Sequence, residues 1–257
     1  MPGPIVLVGS GEFTPAMETV DRDLLAATGR TRPRVAVVPT ASWPDGPGTF
    51  QGWIEQGIAH FAALGAEVEG VELRTREDAW DAACTQAIGE ADLVYLSGGK
   101  PDYLLTALEG TPAGAALRAV HIRGGILAGC SAGAMVLAAR QPRARGWRRV
   151  RFPVGWRDAL GLVEQAAVVP HYDAFPEVLA AAVALAAPRG TVVLGIDEET
   201  AVIGRDGTWQ VRGRGRVTVW RGRHRTRHHA GDSFRLAGAS AGSAGSAANE
   251  VEGEADA

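Results

Sequence analysis

The chain has 257 residues, a net charge of −3 and 46% hydrophobic residues, enough apolar material for one large α/β domain with its own core. The near-balanced charge argues against nucleic acid as the main partner. With only Cys84 and Cys130 present, neither a disulfide framework nor a zinc site is expected, and no metal or cofactor is implied. No basic-then-apolar leader precedes Ile5, and no apolar run approaches the ~18 residues of a membrane span, so the sequence reads as a soluble cytoplasmic protein without membrane contact.

In chain order the pattern alternates strand and helix. The apolar run 5–8 is a short buried strand ending in Gly9-Ser10-Gly11. This turn lacks the third glycine of a dinucleotide fingerprint, so a plain strand-to-helix turn is expected. Met17, Val20 and Leu24 then share one helical face. Residues 34–39 form a second strand, and Phe50, Ile54, Ile58 and Phe61 recur at helical spacing before Gly65. A third strand covers 68–73, and Thr75 with Asp78 starts a helix running through Trp80 to Ile88. Strand 92–97 leads into Gly98-Gly99-Lys100-Pro101, where glycine lets backbone N–H groups approach a ligand, as an oxyanion hole requires, or simply makes a turn. Helices follow through Tyr103, Leu104 and Leu108 and over 113–122.

The organising motif is Gly129-Cys130-Ser131-Ala132-Gly133. A buried strand (126–128) precedes it and a helix (132–139) follows, so Ser131 falls on the turn between them, the arrangement of a nucleophile elbow. The helix start directs free N–H groups and its dipole at the same point. Between Ala132 and Arg157 there is no Asp or Glu, while Arg140, Arg143, Arg145, Arg148, Arg149, Arg151 and Arg157 accumulate. Two readings stand: a solvated basic loop, or guanidinium groups that hold a substrate carboxylate.

Residues 166–170 form a strand delivering His171 at its carboxyl end, where α/β sheets keep their sites. Helix 176–187 and strand 191–195 follow, then Asp197-Glu198-Glu199. Short strands at 201–203, 209–212 and 216–220, the first two joined by Asp206-Gly207, read as an antiparallel extension. The single domain is expected to span 1–236. Residues 237–257 are rich in Gly, Ser and Ala and then acidic, the composition of a flexible tail.

Taken together, Pro39-Thr40-Ala41-Ser42, Ser97-Gly98-Gly99, the Ser131 motif, Asp158-Ala159-Leu160-Gly161-Leu162 with Pro170-His171, and the segment 195–201 resemble the peptidase E and cyanophycinase family of serine peptidases. That resemblance covers about residues 4 to 221. It implies a three-layer flavodoxin-like sandwich with a mostly parallel central sheet, similar to class I glutamine amidotransferases, and a homodimer. It further implies Ser131 as nucleophile, His171 as general base, and the N–H groups of Gly99 and Ala132 as the oxyanion hole, with Gly98 and Lys100 beside the substrate. The family's third triad acid follows the nucleophile helix, where this chain has arginines. Asp173 is favoured instead, by analogy with the amidotransferases, with Asp158 and Glu198 as alternatives. The expected activity is hydrolysis of a small peptide or amino-acid-derived amide through an acyl-enzyme. The other reading is a non-catalytic relative that binds a small acidic ligand through the arginine-rich stretch. Amidotransferase chemistry through Cys130 is disfavoured, because the turn exposes position 131 and points Cys130 into strand packing.

Overall fold

The computed structural model describes residues 1–143 and 155–236. The arginines at 145, 148, 149 and 151 and the tail 237–257 lie outside the described residues.

The first half of the chain builds alternating strands and helices: β1 (Ile5–Val8), α1 (Glu18–Ala27), β2 (Arg34–Val38), α2 (Pro47–Ala63), β3 (Glu67–Gly70), α3 (Ala82–Glu90), β4 (Leu93–Leu96), α4 (Pro101–Leu108), α5 (Pro112–Ile122), β5 (Ile126–Cys130) and α6 (Ala132–Leu137). The strands β1, β2, β4 and β5 are almost wholly apolar and almost wholly buried, as expected of strands covered by helices on both faces. They pair in parallel in the order β1-β5-β4-β2-β3.

The helix expected from Asp78 to Ile88 is split. A 3-10 turn covers Asp78–Trp80, and Asp81 then caps α3 by accepting the Ala83 N–H at 2.8 Å. A side-chain oxygen that satisfies a free helical donor restarts the helix there.

After Ser131 the chain leaves the first sheet. The helix expected to reach residue 139 ends at Leu137, and β6 (Ala138–Arg143) begins at once. With β7 (Gly155–Asp158), β8 (Val163–Val169), β9 (Val192–Ile196), β12 (Arg216–Arg221) and β13 (His224–His229) it forms a second sheet, ordered β13-β12-β9-β8-β6-β7. Helix α7 (Glu177–Leu185) follows β8. Meanwhile β10 (Thr200–Arg205), β11 (Thr208–Gly213) and β14 (Ser233–Arg235) return to extend the first sheet antiparallel from β1. The strand carrying His171 therefore belongs to the second sheet, not to the sheet carrying Ser131.

Three apolar layers hold this arrangement. Met17, Val20, Leu24, Phe61 and Tyr95 pack on one face of the first sheet. A larger cluster joins its other face, through α3 to α6, to Leu194, Ile196, Val217 and Val219 of the second sheet. Tyr172, Val183 and Trp220 form the third layer, under α7. Each fully buried Leu, Ile or Phe contributes roughly 1.5–3 kcal/mol, so the central cluster fixes one sheet against the other. Among the described residues no helix is long and apolar enough to cross a membrane.

Candidate functional site

Ser131 sits between β5 and α6 with φ 49° and ψ −105°, a conformation few non-glycine residues adopt and one that packed surroundings must enforce. Those surroundings are visible. A Cβ on Gly133 would lie 2.3 Å from the Leu96 carbonyl oxygen, and one on Gly129 would lie 2.5 Å from the Gly133 carbonyl carbon. Only glycine at both positions lets helix and strands pass so closely. The Ser131 N–H donates to Val8 O at 2.9 Å, which pins the turn to the end of β1.

His171 follows β8 in a left-handed conformation, φ 51° and ψ 38°. Its Nε2 lies 2.9 Å from Ser131 Oγ, and its Nδ1 lies 2.9 Å from Glu198 Oε1. Glu198 stands in the turn between β9 and β10, one of the places where the chain passes from the second sheet to the first. The turn is fastened by Gly9 N–H to Thr200 O at 2.9 Å and by Asp197 N–H to Arg216 O at 3.1 Å. Burial raises the Asp197 carboxyl above its ordinary value, the backbone N–H of Arg216 opposing the shift.

Asp173, favoured from the sequence as the third acid, does not occupy that place. Its Oδ1 accepts the backbone N–H of Glu198 at 2.8 Å. The short 3-10 turn Tyr172–Ala174 carries its carboxylate to the neighbouring turn instead of back to the ring. Asp158 lies in β7 and faces Arg140 at 3.7 Å. Of the three candidates, the structure brings only Glu198 to His171.

A cleft of about 320 Å³ opens over Ser131 and His171, lined by Glu12, Ser42, Asp45, Trp53, Gly98 and Gly99. A larger cavity, between Trp80, Leu108 and Leu160, holds no comparable set of reactive groups. Gly99 has φ 140°, and a Cβ there would lie 2.3 Å from Ala41 O, so this turn requires glycine. Ala132 is the first residue of α6, and its N–H has no acceptor four residues back within the helix. Gly98 lines the cleft, but its N–H is engaged by Glu12 Oε1 at 2.8 Å. Lys100 Nζ pairs with Asp45 Oδ1 at 2.9 Å, which places a neutralised ion pair beside the cleft.

Cys130 is fully buried, and its thiol donates to Glu12 Oε2 at 2.7 Å. Burial, reinforced by that carboxylate, pushes the thiol well above its ordinary value, which removes the thiolate that cysteine chemistry needs. Two of the described arginines of the basic stretch are occupied: Arg140 faces Asp158, and Arg157 reaches Asp102 at 3.3 Å and Glu109 at 3.4 Å.

Glu12, Asp45 and Trp53 gave no signal in the sequence. Glu12 follows a turn that reads as a plain strand-to-helix connection. The other two belong to a loop and a helix whose periodicity speaks only of packing.

Comparison with known proteins identifies the family. The chain matches the model of peptidase family S51 over residues 5–212. No curated protein matches it. Among solved structures, the crystal structure of a peptidase from an acI-B1 Actinobacterium is 32% identical, with a TM-score of 0.81, covering 92% of this chain and 98% of that one. A putative peptidase E protein from Listeria monocytogenes EGD-e shares the fold at 20% identity, with a TM-score of 0.61, covering 83% of this chain and 99% of that one. The family model spans most of the chain, and a well-covered relative exceeds 30% identity; the chain belongs to peptidase family S51 and is a serine-type peptidase.

Proposed function

We propose that the chain hydrolyses a small peptide or amino-acid-derived amide with Ser131 as nucleophile, His171 as general base and Glu198 as the acid that orients the ring. The observation carrying this reading is the unbroken run from Ser131 Oγ to His171 Nε2 and from Nδ1 to Glu198 Oε1, each step 2.9 Å. A carboxylate accepts only, so Nδ1 carries the proton toward Glu198 and Nε2 keeps its lone pair for the serine hydroxyl. In attack, Oγ bonds to the carbonyl carbon while its proton passes to Nε2. The oxyanion rests against the N–H groups of Gly99 and Ala132, supported by the α6 dipole. Imidazolium then protonates the departing amine as the C–N bond breaks. Water, deprotonated by the same nitrogen, cleaves the acyl-enzyme. Ser131 in this role occupies a nucleophile elbow, and Asp173 contributes by holding the Glu198 backbone.

The test is covalent labelling by a fluorophosphonate. Wild-type protein is labelled, and Ser131→Ala and His171→Ala are not. Folded wild-type protein that resists the probe would overturn the reading. The same reading includes a cytoplasmic homodimer, whose mass light scattering of the purified chain measures.

A further inference from the structure

The hairpin of β12 and β13 carries Arg216, Arg221, Arg223, Arg225 and Arg227 and no acid. β13 lies at the margin of the second sheet, paired with β12 alone, so alternate N–H and C=O groups face outward along it. Its residues are almost all exposed. The far end is closed by Asp232, which accepts the His229 N–H at 2.8 Å. Among the described residues a single acid pairs with the arginines of this strand: Glu177 Oε1 takes Arg227 at 2.6 Å and also Arg225. A strand edge that is unpaired and carries surplus positive charge is a template for an added strand, and it selects an acidic one.

The chain itself supplies such a strand. From Glu250 acids recur at every second position, Glu252, Glu254 and Asp256, separated by Val251, Gly253 and Ala255. That alternation is the pattern of a strand with one charged and one apolar face. The basic side chains of β13 alternate with the same period. Register sets Arg225 opposite Trp220 and Arg227 opposite Thr218, which puts both arginines on the face of α7, where Glu177 meets them. Thr226 and His228 lie on the other face, His228 with its ring centroid 4.8 Å from that of Phe234. The path is short enough. The described residues end at Leu236, whose N–H donates to Gly207 O at 3.2 Å, and Arg221 holds Arg235 O at 2.7 Å. The chain therefore continues from beside the end of the hairpin where Arg221 pairs with His224. Residues 237–249 contain only Ala, Gly, Ser and one Asn. Fully extended, a segment of that length spans up to roughly 40 Å, against ~20 Å for the 6 residues of β13.

We infer that residues 250–257 add to the outer edge of β13 of their own chain as an extra strand, with their acids beside Arg225 and Arg227, and so cover the basic edge of the second sheet. Cross-strand pairs of opposite charge are individually weak. The tether holds the segment at an effective concentration in the millimolar range, so weak pairs suffice. No residue of β13 lines the cleft over Ser131, and the docking does not depend on the chemistry there.

Amide hydrogen exchange, read by mass spectrometry on fragments spanning 222–231, compares the full chain with two variants. One ends at Leu236. The other keeps its length but carries Glu250→Gln, Glu252→Gln, Glu254→Gln and Asp256→Asn, and it decides alone if the shortened chain does not fold. Exchange over β13 is expected to be about tenfold or more faster in both variants than in the wild type, with β1 and β5 unchanged. Salt at about 1 M, which screens exposed charge pairs, brings the wild type toward the variants. Dilution leaves the wild-type rate unchanged, because the contact is within one chain. Equal exchange in the wild type and the shortened chain overturns the inference, as does slow exchange that survives neutralisation of the four acids. Protection lost on dilution assigns the edge to a second copy instead. Equal exchange in all three chains, slowed in each by a single-stranded oligonucleotide, assigns it to nucleic acid; either result overturns docking of the chain's own segment.

Discussion

Asp173 and Glu198 meet through a backbone N–H: Asp173 Oδ1 accepts it at 2.8 Å, while the Glu198 carboxylate turns the other way, to His171 Nδ1 at 2.9 Å. The two acids therefore have different effects when changed. Glu198→Gln offers an amide where a carboxylate faced the ring and removes the charge that stabilises imidazolium. Fluorophosphonate labelling of Ser131 is expected to slow by about 10²-fold or more, with the melting temperature little changed because the Glu198 side chain is half exposed. Asp173→Asn keeps an oxygen for the same N–H and is expected to slow labelling by no more than about tenfold. Equal losses in the two variants would show that the acids share one role.

Gly133 is fixed by contact with the end of β4. In Gly133→Ala the new methyl meets the Leu96 carbonyl at 2.3 Å, with backbone on both sides of the clash. The expected cost is about 1–3 kcal/mol from overpacking, read as a lower urea midpoint with an unchanged slope. Labelling of Ser131 falls as well, since the same contact enforces the turn at φ 49°.

Tyr172 follows His171 and buries its hydroxyl against Trp220, whose Nε1–H donates to it at 2.9 Å. Tyr172→Phe leaves that indole N–H unpartnered in a buried layer, at a cost of about 1–3 kcal/mol. Thermal or urea unfolding of the variant measures it. A change within a few tenths of that of a surface substitution would mean the hydrogen bond contributes nothing net.

Asp21 is buried, 2.8 Å from His60 Nε2. Burial raises its carboxyl above the ordinary 3.8, only partly offset by the hydrogen bond and charge of His60. A raised acid binds its proton more tightly in the folded chain. Its contribution to stability is thus complete below 3.8 and is lost as the pH climbs through the folded value. Asp21→Asn removes this dependence. The difference in stability between wild type and variant is expected to move against the wild type as pH rises above 3.8, and chemical denaturation across that range checks the sign.

The sequence by itself determined the parts of this protein that depend on neighbours along the chain. Continuous apolar runs marked β1, β2, β4 and β5, and glycines flanking Ser131 marked the sharp turn, because strand burial and turn sterics are written within a few residues. His171 was legible for the same reason, as a polar residue closing an apolar strand. The resemblance of several separated motifs to one peptidase family added their order.

Only the tertiary structure decided what meets across distance. Nothing local says that the basic stretch after α6 contains β6 and β7, that β8 and β9 leave the first sheet, or that the turn at Glu198 is carried to the His171 ring while Asp173 turns to its backbone. Those outcomes follow from the packing of one sheet on the other through the central apolar cluster. Such a cluster selects volumes and faces summed over residues far apart in sequence, so no single segment records it. Glu12 is the sharpest instance: as part of a sequence it is an acid after a turn, and only folding places it, buried, in the cleft beside Ser131.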